Sequence, residues 1–345
     1  MKIHILCNDG SPLGVTPQTI YGDGVQVGVG GAELALLTLS EAWKERGHDV
    51  VLYNDPRSPN KEVLDQRPIS AFSSQEDRDI LITFRSPNHR TYGAKGKRIW
   101  WSCDQNTVGD FRRFSKHNHQ VVTISPRHKD YFSATYGINS TVIDIPVRTW
   151  EYQDQGVERI KNRLLFSSVP DRGLTLLARA YPAIKSAVPD VSLVITSDYR
   201  LWGSNMGAGT SQYVSQFLGK RDVIYRSAIP RRELIREQLQ ADCLSYPCTY
   251  DELFCIAVAE AQVAGAYPVT SGKGSLTTTN MGIVVPGSPD DYLRGWLSVF
   301  VQSVVGFLTK SETEKEKMRI DLMERSNLRF GLATILNQWD EVFNA

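Results

Sequence analysis

The sequence predicts an α/β chain of two doubly wound, Rossmann-like domains that face one another across a cleft. Three observations carry this prediction. The chain has 345 residues, and at about 150 residues per domain that length suits two. Short apolar runs of strand length alternate with longer segments of helical period, the pattern of parallel sheets covered by helices. The alternation halts once, over the polar residues 149–161, and then restarts. A linker there separates an N-terminal domain, 1–150, from a second domain, 151–325. In such sheets ligands bind beyond the carboxyl ends of the strands, so the cleft is the expected site.

The elements follow in order. Residues 1–7 are apolar and strand-like. Ala32, Ala35, Leu36, Leu39, Ala42 and Trp43 form the stripe of an amphipathic helix over 32–46, closed by Gly47. Strands are predicted at 49–53, 80–84, 99–101, 121–124 and 142–145, and 55–74 reads as loop with one helical turn at most. After the linker, 163–167, 192–196, 222–225, 243–246, 267–270 and 282–285 read as strands. Helices are predicted at 174–187, 231–240, 255–264 and 290–308, and over the last forty residues.

Composition narrows the function. The chain is 41% hydrophobic and 22% charged, which excludes a disordered polymer. Lys and Arg number 39 against 38 Asp and Glu, a net charge of +1, which disfavours nucleic acid as a partner. A local basic face from Arg112, Arg113, Lys116, Arg127 and Lys129 would be the exception. No apolar run reaches 18 residues, so no spanning helix is expected. The first residues carry too brief an apolar core for a signal peptide. Cys7, Cys103, Cys243, Cys248 and Cys255 are scattered and odd in number, which suits reduced thiols and a cytoplasmic location.

Gly22, Gly24, Gly28, Gly30 and Gly31 crowd the approach to the first helix. They do not form a dinucleotide fingerprint. About twenty residues separate Cys7 from Gly30, and the third glycine position is Glu33. What remains is a loop of low bulk leading into a helix N-terminus, whose free N–H groups could receive an anion or a sugar hydroxyl. By itself the run fits a surface loop equally well.

The second domain carries a sharper pattern. Glu252 and Glu260 are separated by seven residues just after the strand 243–246. With a helix starting near Leu253, Glu252 sits at its mouth and Glu260 lies about two turns inside. A glutamate between Ala259 and Ala261 needs a partner, and a ribose diol suits a carboxylate, which accepts two hydroxyl hydrogens. The backbone N–H groups of Leu253, Phe254 and Cys255 would face a diphosphate or sugar. As a bare spacing, the pair would equally be two surface glutamates.

The surroundings extend the pattern. The stretch from Tyr250 to Ser271 resembles the donor motif of family-4 retaining glycosyltransferases of the GT-B fold. Pro170-Asp-Arg-Gly-Leu174 is similar to the entry of that family's second domain, and Gly30-Gly-Ala-Glu33 with Arg46-Gly-His48 to its glycine loop and first helix. The resemblance implies an enzyme that moves a sugar from a nucleoside diphosphate sugar, of UDP or GDP type, to an acceptor hydroxyl with retention. It implies no metal and no cofactor beyond that substrate. Glycan, lipid-linked and small-molecule acceptors are all compatible, as is a peripheral membrane contact. Two further readings stand beside it: a DNA-modifying glycosyltransferase and a non-catalytic protein that binds sugar nucleotides.

The resemblance also assigns roles. Glu260 would hold the ribose, Glu252 the transferred sugar and Arg172 the diphosphate. Gly30 and Gly31 would let the backbone approach the phosphate and sugar, and residues 326–345 would cross back to the N-terminal domain. Two positions depart from the family. Leu165, Phe166, Ser167 and Ser168 stand where many members carry a second basic residue, so either a distant residue such as Lys273 substitutes or the diphosphate is held less firmly. In Trp101-Ser-Cys-Asp104, Cys103 stands where some members have histidine. Asp104 is then the candidate for orienting acceptor or sugar, with a loop-capping aspartate as the alternative. His117 and His119 read as a polar loop rather than a metal pair.

Overall fold

The computed structural model describes residues 1–7, 14–22, 27–196, 198–199 and 212–345. Gly24 lies outside them. The chain divides into two compact units. One holds Met1–Ile20, Val29–Pro146 and Leu332–Ala345; the other holds Tyr21–Gly28 and Val147–Gly331. The segment Tyr21–Gly28, which holds part of the glycine run, is assigned to the second unit, and the residues on both sides of it to the first.

The first unit contains seven parallel strands in the order β3-β2-β1-β4-β5-β6-β7. They are β1 (Lys2–Leu6), β2 (Asp49–Tyr53), β3 (Asp65–Arg67), β4 (Ile80–Phe84), β5 (Lys97–Trp101), β6 (Gln120–Thr123) and β7 (Thr141–Val142). Helix α1 (Gly31–Glu45) follows β1, and α2 (Phe111–Ser115) and α3 (Pro126–Tyr136) flank β6. The last helix of the chain, α10 (Leu332–Asn344), belongs to this unit. Its apolar stripe is anchored by Trp339, whose ring lies edge-on to Trp43 at 5.4 Å and to Trp101 at 5.3 Å.

Three sequence expectations fail here. Residues 55–74 are not all loop, because they contain the edge strand β3. Its Asp-Gln-Arg sequence has no apolar period, and what buries it is Gln66, which donates to Val15 O at 2.8 Å and Asn54 Oδ1 at 3.0 Å. Helix α3 was not anticipated, for want of an apolar stripe. Its punctuation was present: Ser125 caps the His128 N–H at 3.0 Å, Pro126 opens the first turn, and Gly137 ends it in the left-handed region. Of the predicted strand at 142–145 only Val142 is in a strand, the two-residue β7 that begins at Thr141.

The second unit has six parallel strands in the order β10-β9-β8-β11-β12-β13. They are β8 (Arg163–Phe166), β9 (Ser192–Ile195), β10 (Val223–Tyr225), β11 (Cys243–Tyr246), β12 (Tyr267–Ser271) and β13 (Ile283–Val285). Among the described residues the helices are α4 (Leu174–Ala187), α5 (Arg231–Gln240), α6 (Ile256–Val263), α7 (Leu276–Thr279), α8 (Trp296–Leu308) and α9 (Glu312–Phe330). The strand order reverses between β8 and β11, which makes that the switch point of the sheet. The presumed linker is partly structure: Thr149–Tyr152 forms a 3₁₀ turn whose Glu151 and Tyr152 are buried. The single helix expected over 290–308 is two pieces, parted at Gly295 in the left-handed region. Among the described residues no helix is long and apolar enough to cross a membrane.

Candidate functional site

Two of the residues singled out in the second unit, Arg172 and Glu252, meet at its switch point, whereas Glu260 and Lys273 pair with other residues. Arg172 ends the turn Pro170–Arg172 that follows β8, and Glu252 lies in the loop that follows β11. Glycine at position 173 lets these two loops approach. It has φ +115°, and a Cβ there would stand 2.2 Å from Pro247 O. The approach brings Arg172 Nη1 to 3.0 and 3.1 Å from the two carboxylate oxygens of Glu252. The guanidinium also stacks over the Tyr250 ring, 4.2 Å from its centre.

Glu252 is only 4% exposed. The Tyr246 hydroxyl, at the carboxyl end of β11, donates to its Oε1 at 2.7 Å and lies 3.1 Å from Ser168 Oγ. Burial, reinforced by Glu252, pushes the Tyr246 pKa well above its ordinary value, so the hydroxyl keeps its proton and remains a donor. Burial alone would lower the Arg172 pKa, but Glu252 and Tyr246 together raise it. Arg172 is thus a fixed cation beside the Glu252 carboxylate. Burial, then Glu252, lifts the Cys248 thiol to about 12. Such a thiol is neutral and inert.

The loop carrying Lys273 packs directly on the Glu252 loop. Gly274 has φ +59°, a Cβ there would meet Glu252 O at 2.3 Å, and Ser275 N donates to the same carbonyl at 2.7 Å. Lys273 itself pairs with the exposed Asp290 at 2.6 Å. Helix α6 begins at Ile256, not near Leu253, because Cys255 adopts φ 71°, ψ 79°. The N–H groups of Leu253 and Phe254 therefore precede the helix. Phe254 is buried with its ring edge-on to Phe330 at 5.6 Å.

Glu260 lies in the second turn of α6 and is 3% exposed. The protein itself supplies two partners for this buried carboxylate. Arg231 Nη1 donates to Glu260 Oε1 at 2.8 Å, and the Gln238 amide to Oε2 at 3.2 Å. Sequence reasoning missed Arg231, Gln238 and Tyr246. Arg231 and Gln238 sit on α5 and show no local pattern that would mark them as partners of a residue on another helix.

In the first unit, Gly30 has ordinary extended φ and caps α1, which Gly31 opens. The space a Gly30 Cβ would fill is taken by Glu33 Oε2, at 2.4 Å. Glu33 lies 3.6 Å from Arg85, which follows β4, and Arg85 Nε donates to Asp104, which follows β5. Asp104 is therefore tied to Arg85 at the carboxyl end of this sheet. His117 stacks on Tyr92 at 3.8 Å, and His119 Nδ1 accepts from Arg98 N at 2.9 Å. Among the described residues no group of three or more His, Cys, Asp or Glu is placed to hold a metal ion.

No family model matches this chain, and no curated protein matches it in sequence. Solved structures match it in fold over essentially its whole length. Sucrose-phosphate synthase from Thermosynechococcus elongatus aligns with a TM-score of 0.74 at 13% identity, over 100% of this chain and 98% of that one. A glycosyltransferase from Rickettsia africae gives 0.70 at 16% identity, over 99% and 98%. The Anabaena protein HepE, solved with UDP and glucose, gives 0.67 at 14% identity over 100% of both chains. With the two parallel sheets, these likenesses establish the fold as two Rossmann-like domains of the GT-B kind.

Proposed function

We propose that this protein is a retaining glycosyltransferase that moves a sugar from a nucleoside diphosphate sugar to an acceptor hydroxyl without a metal ion. The observation that carries the reading is the Arg172–Glu252 pair at the switch point of the second sheet, with Glu260 in the second turn of the helix that follows. A bond to a leaving diphosphate gathers negative charge as it breaks. A guanidinium held in place beforehand stabilises that charge with little reorganisation. Arg172 supplies the guanidinium, and Lys273, on the adjoining loop, is the nearby candidate for a second cation. Glu252 would accept hydroxyl hydrogens of the transferred sugar, and Glu260 those of the ribose. Asp104 would orient the acceptor or the sugar.

The fold neighbours support a nucleotide donor. HepE was solved with UDP-glucose, and starch synthase IV from Arabidopsis thaliana with ADP. Retention would follow from attack on the face the diphosphate leaves, with a phosphate oxygen taking the acceptor proton. The test is a thermal-shift panel of UDP-, GDP-, ADP- and TDP-sugars. A ligand at 100 times its Kd should add about 2.7 kcal/mol of stability. A flat response to every nucleotide sugar would overturn the proposal. Anomeric analysis of the product then decides retention, and an undiminished rate in chelator decides metal independence.

A further inference from the structure

The two donors that hold Glu260 are themselves held, each by one of two consecutive residues. Glu151 Oε2 accepts from Arg231 Nε at 2.6 Å, and Arg231 Nη1 donates onward to Glu260 Oε1 at 2.8 Å. The Tyr152 hydroxyl donates to Gln238 Oε1 at 2.7 Å, and the Gln238 amide donates onward to Glu260 Oε2 at 3.2 Å. Arg231 and Gln238 stand seven residues apart on α5, two helical turns, and so share one face. Two parallel relays therefore run from the turn Thr149–Tyr152, through one face of α5, to the two oxygens of one carboxylate.

The charges alternate along the first relay. Arg148 Nε donates to Glu151 Oε1 at 2.9 Å, so the sequence is Arg148, Glu151, Arg231, Glu260. The Tyr21 hydroxyl adds a further donor to Glu151 Oε1, at 2.7 Å. Arg231 is 6% exposed and Gln238 is fully buried. Buried charges of this kind persist only when fully paired, and each pairing removes freedom from the next side chain. The second relay fixes the Gln238 amide as well. With its oxygen bound to the Tyr152 hydroxyl, only its NH₂ can face Glu260.

We infer that Glu151, Tyr152, Arg231 and Gln238 are positioning residues for the donor: they fix the Glu260 carboxylate in one rotamer for the ribose hydroxyls. This inference rests on the proposed donor site. A carboxylate held in advance loses no rotamer freedom when the nucleotide binds, so the relays act on affinity. The ribose is gripped alike before and during transfer. Loss of the relays should therefore raise KM for the nucleotide sugar and leave kcat nearly unchanged.

The experiment measures calorimetric affinity for UDP and GDP, with melting temperature, in Tyr152→Phe, Arg231→Lys, Arg231→Gln and the double variant Glu151→Gln with Arg231→Gln. Each change is also made beside Glu260→Gln. Tyr152→Phe removes one hydroxyl and keeps the ring. It should melt close to the parent and bind the nucleotide several-fold more weakly, because the Gln238 amide loses its anchor at Oε1 and holds Glu260 less firmly. Arg231→Gln should lose more affinity than Arg231→Lys. The double variant, which removes the two inner charges and so takes those partners from the buried Arg148 and Glu260, should regain neither stability nor affinity. In the Glu260→Gln background none of these changes should weaken binding further, because residues acting through one carboxylate are not additive. Folded Tyr152→Phe and Arg231→Lys with parental affinity, while Glu260→Gln alone loses it, would overturn the relays and spare the donor site. A double variant that recovers affinity along with stability would also overturn them. Undiminished binding by Glu260→Gln would overturn the donor site itself, and the relays with it.

Discussion

Arg172 Nη1 lies within 3.1 Å of both carboxylate oxygens of Glu252, across 80 residues of sequence. The residue assigned to the diphosphate is thus already neutralised by the residue assigned to the sugar. A diphosphate that binds Arg172 must share it with a buried anion. Glu252→Gln should free the guanidinium and remove the repulsion. Nucleoside diphosphate affinity should then rise while transfer falls, because Gln lacks the charged acceptor for sugar hydroxyls. Arg172→Ala should weaken the same nucleotides by about 1.5–3 kcal/mol, the range for charge-assisted pairs. Calorimetric titration of both variants checks the signs, and a weaker nucleotide in Glu252→Gln would contradict the competition.

Cys255 opens α6 at φ 71° and ψ 79°, a region that costs a non-glycine residue about 1–2 kcal/mol. Cys255→Gly should relieve that cost, while Cys255→Ala loses the thiol and keeps the strain. The glycine variant should be the more stable of the two by about 1 kcal/mol. Equal melting temperatures would show that the local backbone relaxes.

Trp339 is fully buried between Trp43 and Trp101 in the first unit. Trp339→Ala should cost about 3–5 kcal/mol, the range for deleting a large aromatic from a core. Truncation after Gly331 should destabilise the first unit further, because the chain then also loses Phe343, whose ring lies 5.4 Å from Trp43. A truncated chain with the parental melting curve would rule out this anchoring.

His128 is fully buried, and burial lowers its pKa from 6.5 to about 3. The folded state therefore holds it neutral where the unfolded chain would protonate it. Its contribution is complete above pH 6.5 and is lost as pH falls from 6.5 toward 3. The slope cannot exceed about 1.4 kcal/mol per pH unit. Between pH 6.5 and 5, before carboxylates dominate, His128→Gln should show a flatter dependence of melting temperature on pH than the parent. Parallel curves would place the acid sensitivity elsewhere.

Periodicity in the sequence located nearly every element of the second unit. Helix α4 falls at the predicted 174–187, and α5 at 231–240. These segments are legible because their apolar spacing is local and repeats. Failures came where the signal was not apolar. Strand β3 is held by Gln66, and α3 is defined by its caps and not by a stripe. The start of α6 moved three residues because one cysteine takes a left-handed backbone, which spacing does not encode.

The sequence by itself also determined which residues to question as a candidate site: Arg172, Glu252, Glu260 and Lys273 stand in loops or helix turns that follow strands, where ligands of such sheets bind. Only the tertiary structure decided their partners. Arg172 meets Glu252 because β8 and β11 are neighbours and Gly173 permits the approach, whereas Glu260 meets Arg231 and Gln238 because α5 packs beside α6. Apolar burial is nondirectional and leaves a periodic trace in the chain, which is why the fold could be read. A buried charge needs one particular partner in one geometry, and that partner is chosen by three-dimensional packing between residues with no fixed separation in sequence.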